Sequence, residues 1–536
     1  MGDSMPSVAG GHLDSTTQRR RTFYDSGTEG RVRTPISVWV LTAAFVLLCA
    51  TWSILTPQLL APDESAHFSS ALRMSQGFDW PDPGEALRPE FVQQLGGERA
   101  IPHDERSTIG ELREQFPGAS DTLDQMTQHP PPYYMIAGGL IAALGGDDLR
   151  WDVALLSMRL LGAILAAPLI WLTWNTIRRF TRSERMATVA AMVPFAVPGL
   201  AQMLGVANND TPAILMGSVV IWLAVRVLTG DRRLLTLIGL AAAFGLAGLA
   251  KGTLISLAPL VVLVLFFGRG RPAQLGPRIW QTVWPLLIAF VFGQWWWLRN
   301  LALFGTLQPY GYTLSDKQWP AGQGPSLPDY VEEVWRVTAT SFWGWFGRVN
   351  APLPQILVDV LTVTCLLVVL VGIFRRRERI VDALIVASPI AVSLLLLFRV
   401  SWATYADTSE FRGLHGRYFY PVIVALVALG ALGASNIVRE AAARVAFGRA
   451  IVIVSTFMSF FGLAVAYVFF YASDNWSAWR SGVRPLLDMA STPPAVTLVV
   501  PAVYGVLLLV GAGMTWIAIR PATTPEASVP LVEAAT

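Results

Sequence analysis

Apolar runs alternate with polar breaks along most of the chain, and the first run, residues 36–57, is followed by a long polar stretch before the pattern resumes. A helix needs ~20 apolar residues to cross the hydrocarbon of a bilayer. Comparable runs recur at 157–177, 187–204, 211–229, 234–250, 254–268, 280–298, 355–374, 381–400, 418–438, 450–472 and 495–519, so the pattern predicts twelve spans. Only Lys251, Gly252 and Thr253 separate the fifth and sixth of them. Residues 58–152 carry Pro, Gly and many charges and are too long for a connector, which predicts a structured first loop. Within it the apolar patch 133–144 is short for a span and reads as a helix lying along the membrane surface. A second large loop covers 299–354. The ends, 1–34 and 521–536, are polar and without apolar periodicity and read as disordered tails.

Composition agrees with this pattern. Of 536 residues, 53% are hydrophobic and 14% charged, and the mean hydropathy of +0.48 lies outside the range of ordinary soluble domains. The fold class is an all-α polytopic membrane protein. A net charge of +3 makes no case for nucleic acid as a partner. The placement of the arginines says more. Alternating the twelve spans puts Arg178, Arg179, Arg182, Arg185, Arg232, Arg233, Arg269, Arg271, Arg375 to Arg377, Arg379, Arg439, Arg444 and Arg449 on one side. By the positive-inside rule that side is cytoplasmic, with both termini, and the two large loops face outward. Counting 133–144 as a span would turn Arg178 to Arg185 outward. Cys49 and Cys365 both fall in apolar runs, so no disulfide framework is present. Arg19-Arg20-Arg21 is followed by Asp25-Ser26-Gly27 where an export signal would turn apolar, and reads as a topogenic cluster.

The outward face collects the groups that can move protons. Pro62-Asp63-Glu64-Ser65-Ala66-His67 follows the first span directly and reads as a helix start, with Pro and acids in the first turn. Asp63 and His67 at i, i+4 and Glu64 and His67 at i, i+3 then converge on one spot. The plain alternative is two acids complementing a helix dipole. Asp210 stands in Asn208-Asn209-Asp210-Thr211-Pro212 at another outward junction, where its simplest role is to cap the following helix. Lys251 sits between two apolar runs and either takes an anionic partner or snorkels to the surface. Arg299 ends the Trp295-Trp296-Trp297 run, and Arg417 follows His415-Gly416 at the start of the tenth span; each is a phosphate contact or an interface anchor. Tyr310, Tyr312, Trp319, Trp335, Trp343 and Trp345 crowd the second loop and suit either an interfacial belt or stacking on sugars. Glu64-x-x-His67 has the spacing of di-iron bundles, but no second copy exists and no His-Glu-x-x-His occurs. That leaves a divalent ion, magnesium or manganese, shared by Asp63 and Asp210 as the metal site open to this chain.

In order, these segments resemble the GT-C superfamily of membrane glycosyltransferases. The resemblance rests on Asp63-Glu64 after the first span, His129-Pro130-Pro131-Pro132-Tyr133-Tyr134, Asp210 before Thr-Pro, and Lys251-Gly252. Pro-Asp-Glu-x-x-His-Phe, Asn-Asn-Asp-Thr, Arg-Asn and Gly-Arg-Tyr are similar, more closely, to a bacterial group known as domain of unknown function 2142, over about residues 36–440. Pro132 departs from the aliphatic residue usual there. The superfamily implies a catalytic module over 35–440, with 441–520 as added C-terminal spans, in a bacterial cell membrane. It implies a polyprenyl-phosphate-linked sugar as donor and an extracytoplasmic glycan, glycolipid or protein as acceptor. Asp63 is the expected general base, with Glu64 or His67 orienting it. His129, Tyr133, Asp210, Lys251, Arg299, His415 and Arg417 are the expected substrate contacts. Two other classes stay open: a transporter or flippase for a lipid-linked or polar solute, which would place charges mid-span in repeated helices, and an envelope assembly partner, which would need no carboxylate pair.

Overall fold

The computed structural model describes residues 33–77, 80–312, 317–375 and 377–519. The two predicted tails lie outside these, apart from Arg33 and Thr34. The chain divides into a unit ending at Pro35 and one beginning at Ile36, and the second holds everything described below.

Among the described residues, nine helices are long and apolar enough to cross a membrane: Ile36–Leu55, Trp151–Thr181, Asp210–Leu228, Leu275–Phe304, Gln355–Phe374, Arg377–Thr408, Gly416–Ile437, Ala441–Tyr471 and Pro494–Ala518. A tenth candidate is broken: Glu184–Ala196 and Pro198–Leu204 meet at 74°. Pro198 cannot donate the hydrogen bond that would continue the first helix into the second. The runs predicted at 234–250 and 254–268 form Leu234–Ala250 and Gly252–Phe267, both shorter than the rest. Every spanning segment is helical because only a helix satisfies its own backbone away from water.

Between the first span and Trp151 the chain builds its own small core. The Glu64–Ser75, Glu90–Glu98 and Ile109–Gln115 helices, an antiparallel pair of strands, Leu87–Pro89 with Ala119–Leu123, and the Pro132–Leu144 helix bury Phe68, Leu72, Phe91, Leu95, Leu112, Tyr134 and Ile141 together. Thr108 and Glu111 close a capping box at the start of the Ile109–Gln115 helix. The Pro132–Leu144 helix, in the patch read as an interfacial helix, packs Ala137 and Ile141 inward and exposes Met135, Ile136 and Leu144. In the second large loop, Leu327–Trp343 is helical and Trp345–Phe346 pairs with Ala351–Pro352.

Candidate functional site

The Glu64–Ser75 helix starts one turn-residue later than its sequence suggests, because Asp63 is not helical. It is the N-cap in a left-handed conformation, φ 58° and ψ 7°. Such a conformation costs a non-glycine residue about 1–3 kcal/mol and persists only where the surroundings impose it. Its effect is to separate two neighbouring carboxylates. Glu64 turns inward and is wholly buried, where both its oxygens meet Arg159, at 2.8 and 2.7 Å. It also accepts from the backbone N–H of Leu59 at 3.0 Å and of Ala207 at 3.1 Å. Asp63 stays open, its side chain 39% exposed, and accepts from Arg417 Nη2 at 2.7 Å. The three groups expected to converge on one spot thus serve three partners, since His67 turns its Nδ1 to the Tyr134 hydroxyl at 3.0 Å.

Asp210 is not the cap expected of it. Asn208 takes that role, its Oδ1 accepting from the N–H groups of Asp210 at 2.8 Å and Thr211 at 3.1 Å. The Asp210 carboxylate is thereby freed for cations. Lys251 Nζ donates to its Oδ1 at 2.5 Å, and Arg417 Nε lies 3.9 Å from its Oδ2. Lys251 therefore does not snorkel; it is buried against its carboxylate. Two glycines allow this meeting. A Cβ on Gly252 would strike the Trp297 ring at 2.8 Å, and one on Gly416 would strike the backbone of the Leu327–Trp343 helix. Gly416 N–H instead donates to Ser341 Oγ at 2.7 Å, which seats Arg417 beside Asp63.

The result is an alternating row, Asp63, Arg417, Asp210, Lys251, contributed by four separate segments. Burial pushes the Asp63 carboxyl up, but the Arg417 guanidinium outweighs it and holds the group well below the usual carboxylate range. Two buried histidines, His67 and His129, and the half-buried His415 surround the row. Burial pushes His67 and His129 down to about 3 and His415 to about 4, so all three are neutral at neutral pH. His129 Nδ1, Gln202 Nε2 and both amide atoms of Asn209 are buried without hydrogen-bond partners. A small cleft of about 20 Å³ lined by Pro62, Gln202, Ser341, His415 and Arg417 opens beside the row. Tyr133 is buried edge-on to Tyr134, and Trp345 lines the same cleft, whereas Trp343 is core and Trp319 donates to the Tyr405 and Ala406 carbonyls.

Arg299 has different neighbours. It lies 3.8 Å from Asp82, donates to Asn300 Oδ1 at 3.2 Å and stacks 4.9 Å above Trp296, on a second cleft. The carboxylates of Asp63 and Asp210 do not face each other across an open gap, since the Arg417 guanidinium stands between them. Among the described residues no group of three or more His, Cys, Asp or Glu is placed to hold a metal ion. Asp63 and Asp210, the pair the sequence offers to a shared divalent ion, are each paired with a cation in this structure. Arg159 went unread in the sequence although its signal was there, a single charge within the apolar run 157–177.

A family model described as "Predicted membrane protein (DUF2142)" matches residues 45–426, well over half of the chain. The chain belongs to the DUF2142 family. All four members of the charged row, and Glu64 with Arg159, fall inside the region that defines DUF2142. No curated protein matches by sequence. Among solved structures, the chain is similar to ArnT from Cupriavidus metallidurans bound to undecaprenyl phosphate, at 14% identity and a TM-score of 0.44 over 90% of this chain and 76% of that one. It is also similar to the Archaeoglobus fulgidus oligosaccharyltransferase in complex with zinc and sulfate, at 14% identity and a TM-score of 0.46, over 80% of this chain and 53% of that one.

Proposed function

We propose that this protein is a membrane glycosyltransferase that moves a sugar from a polyprenyl-phosphate donor to an acceptor hydroxyl of the cell envelope. The acceptor belongs to a glycan, a glycolipid or a protein on the outer side of the bacterial cell membrane. The single observation that carries the reading is the row of Asp63, Arg417, Asp210 and Lys251, in which an open carboxylate is paired with Arg417 at a cleft and a second cation, Lys251, stands at the far end of the row. Asp63 takes the proton of the acceptor hydroxyl as its oxygen bonds the anomeric carbon, the bond from that carbon to phosphate breaks, and the electron pair leaves on the lipid phosphate. Lys251 and Arg417 meet the charge gathering on that phosphate. Arg417 serves both ends of the reaction. Drawn toward the donor phosphate, it loosens its hold on Asp63, whose proton affinity then rises toward the ordinary carboxylate value. Asp210 keeps Lys251 charged and in place. Glu64 and His67 support the site without touching reactants.

The test is to incubate the purified protein in phospholipid nanodiscs with a panel of polyprenyl-phosphate sugars and envelope acceptors. Sugar transfer, or release of polyprenyl phosphate that depends on Asp63, is expected. Neither event with any donor would sink the reading.

A further inference from the structure

The second cleft, of about 180 Å³, is roomier than the one beside the row and is lined by Trp80, Asp82, Gln128, Pro131, Trp296 and Arg299. Its chemistry differs from that of the charged row. Asp82 neutralises Arg299, so the cleft has no surplus positive charge to hold a phosphate, and the Arg299 guanidinium is already stacked on Trp296. What it offers is indole and proline surface rimmed by a carboxylate, a guanidinium and the Gln128 amide. A flat apolar wall with hydrogen-bonding groups at its edge matches an uncharged sugar ring, whose C–H face is apolar and whose hydroxyls point outward.

The cleft is wired to the row through its wall. Trp80 stacks on Tyr134 with ring centroids 4.9 Å apart, and the Tyr134 hydroxyl meets His67 Nδ1 at 3.0 Å. Trp80 Nε1 also donates to the His129 carbonyl at 3.2 Å, joining the wall to the second buried histidine near the row. We infer that this cleft is the acceptor subsite and takes a neutral sugar ring, with Trp80 and Trp296 forming its wall and Asp82 and Arg299 binding its hydroxyls. The inference rests on the glycosyltransferase reading for the word acceptor, but the binding of a sugar here does not depend on turnover. It also gives Arg299 a role other than the donor-phosphate contact expected from the sequence.

Saturation-transfer NMR of the full chain in phospholipid nanodiscs, with a panel of methyl glycosides, tests it. At least one methyl glycoside should bind, with the same affinity in the presence of undecaprenyl phosphate. Asp82→Asn and Arg299→Gln should each weaken that binding about tenfold, the loss expected when a hydrogen bond to a charged group goes. Binding of no glycoside, binding indifferent to both cleft variants, or displacement by undecaprenyl phosphate would each overturn the inference, the last by placing the sugar in the donor's position. Glycoside binding as described without transfer from any donor would instead count against the glycosyltransferase reading alone.

Discussion

Arg159 grips both oxygens of Glu64 deep in the bundle, and with its remaining N–H groups it reaches the carbonyls of Ser53, Thr56 and Pro57 at 2.6 to 3.1 Å. One guanidinium thus ties the end of the first span, the following helix and the Trp151–Leu165 helix into one corner. The left-handed Asp63 projects from that corner, so the position of the open carboxylate is inherited from the buried one.

Glu64→Gln and Arg159→Met should therefore act through stability. Each leaves a buried charge without its partner, which costs about 3–5 kcal/mol. Thermal unfolding in nanodiscs should show a clear drop in midpoint for both. A Glu64→Gln protein that melts like the parent yet loses turnover would return Glu64 to the chemistry.

Asp63→Asn keeps the size of the side chain and removes the base. A general base contributes about 10²- to 10⁴-fold to rate, and turnover should fall by that factor with the fold and donor binding retained. Near-parental turnover in well-folded protein removes Asp63 as the base.

Lys251→Met and Asp210→Asn should each destabilise the protein, because each strips a buried charge of its nearest partner. Combining them should recover much of the folding loss while leaving donor binding weak, since the phosphate contact is still missing. The double variant is judged by binding of undecaprenyl phosphate; full affinity there would exclude Lys251 as a phosphate ligand.

Acidification should destabilise the chain well above the range where carboxylates titrate. His67, His129 and His415 have folded values of about 3, 3 and 4, below the ~6.5 of an unfolded histidine. The unfolded chain therefore binds protons that the folded one refuses, and their contribution is whole above about pH 6.5 and declines as pH falls toward about 4. Melting followed from pH 7.5 to 4.5 should show this decline, and His67→Phe should flatten it. A melting point constant over that range would mean that these rings are not held neutral by burial.

Orientation is open to a direct measurement. Cysteines placed at Gly96 and Gly322 should react with an impermeant reagent from outside, and one at Arg377 only after the membrane is opened, with the buried Cys49 silent throughout. Outside labelling at Arg377 would invert the topology and move the charged row to the cytoplasm.

That this is a multi-span helical membrane protein follows from the sequence alone, which also marked Asp63, Glu64, Asp210, Lys251, Arg299 and Arg417 as the charges to watch. Both were legible because a span must satisfy its backbone locally and because a charge beside apolar sequence stands out. Helical spacing also placed Asp63, Glu64 and His67 within one turn. What it could not say is where each would turn, since that depends on partners far along the chain: Glu64 meets Arg159, 95 residues on, and Asp63 meets Arg417, 354 residues on. The same holds for Asn208, which relieves Asp210 of capping, and for Arg299, which Asp82 claims for another cleft. Local pattern sets which side chains are available, but the pairing of buried charges is decided only when packing removes water and leaves each charge to find the nearest opposite one.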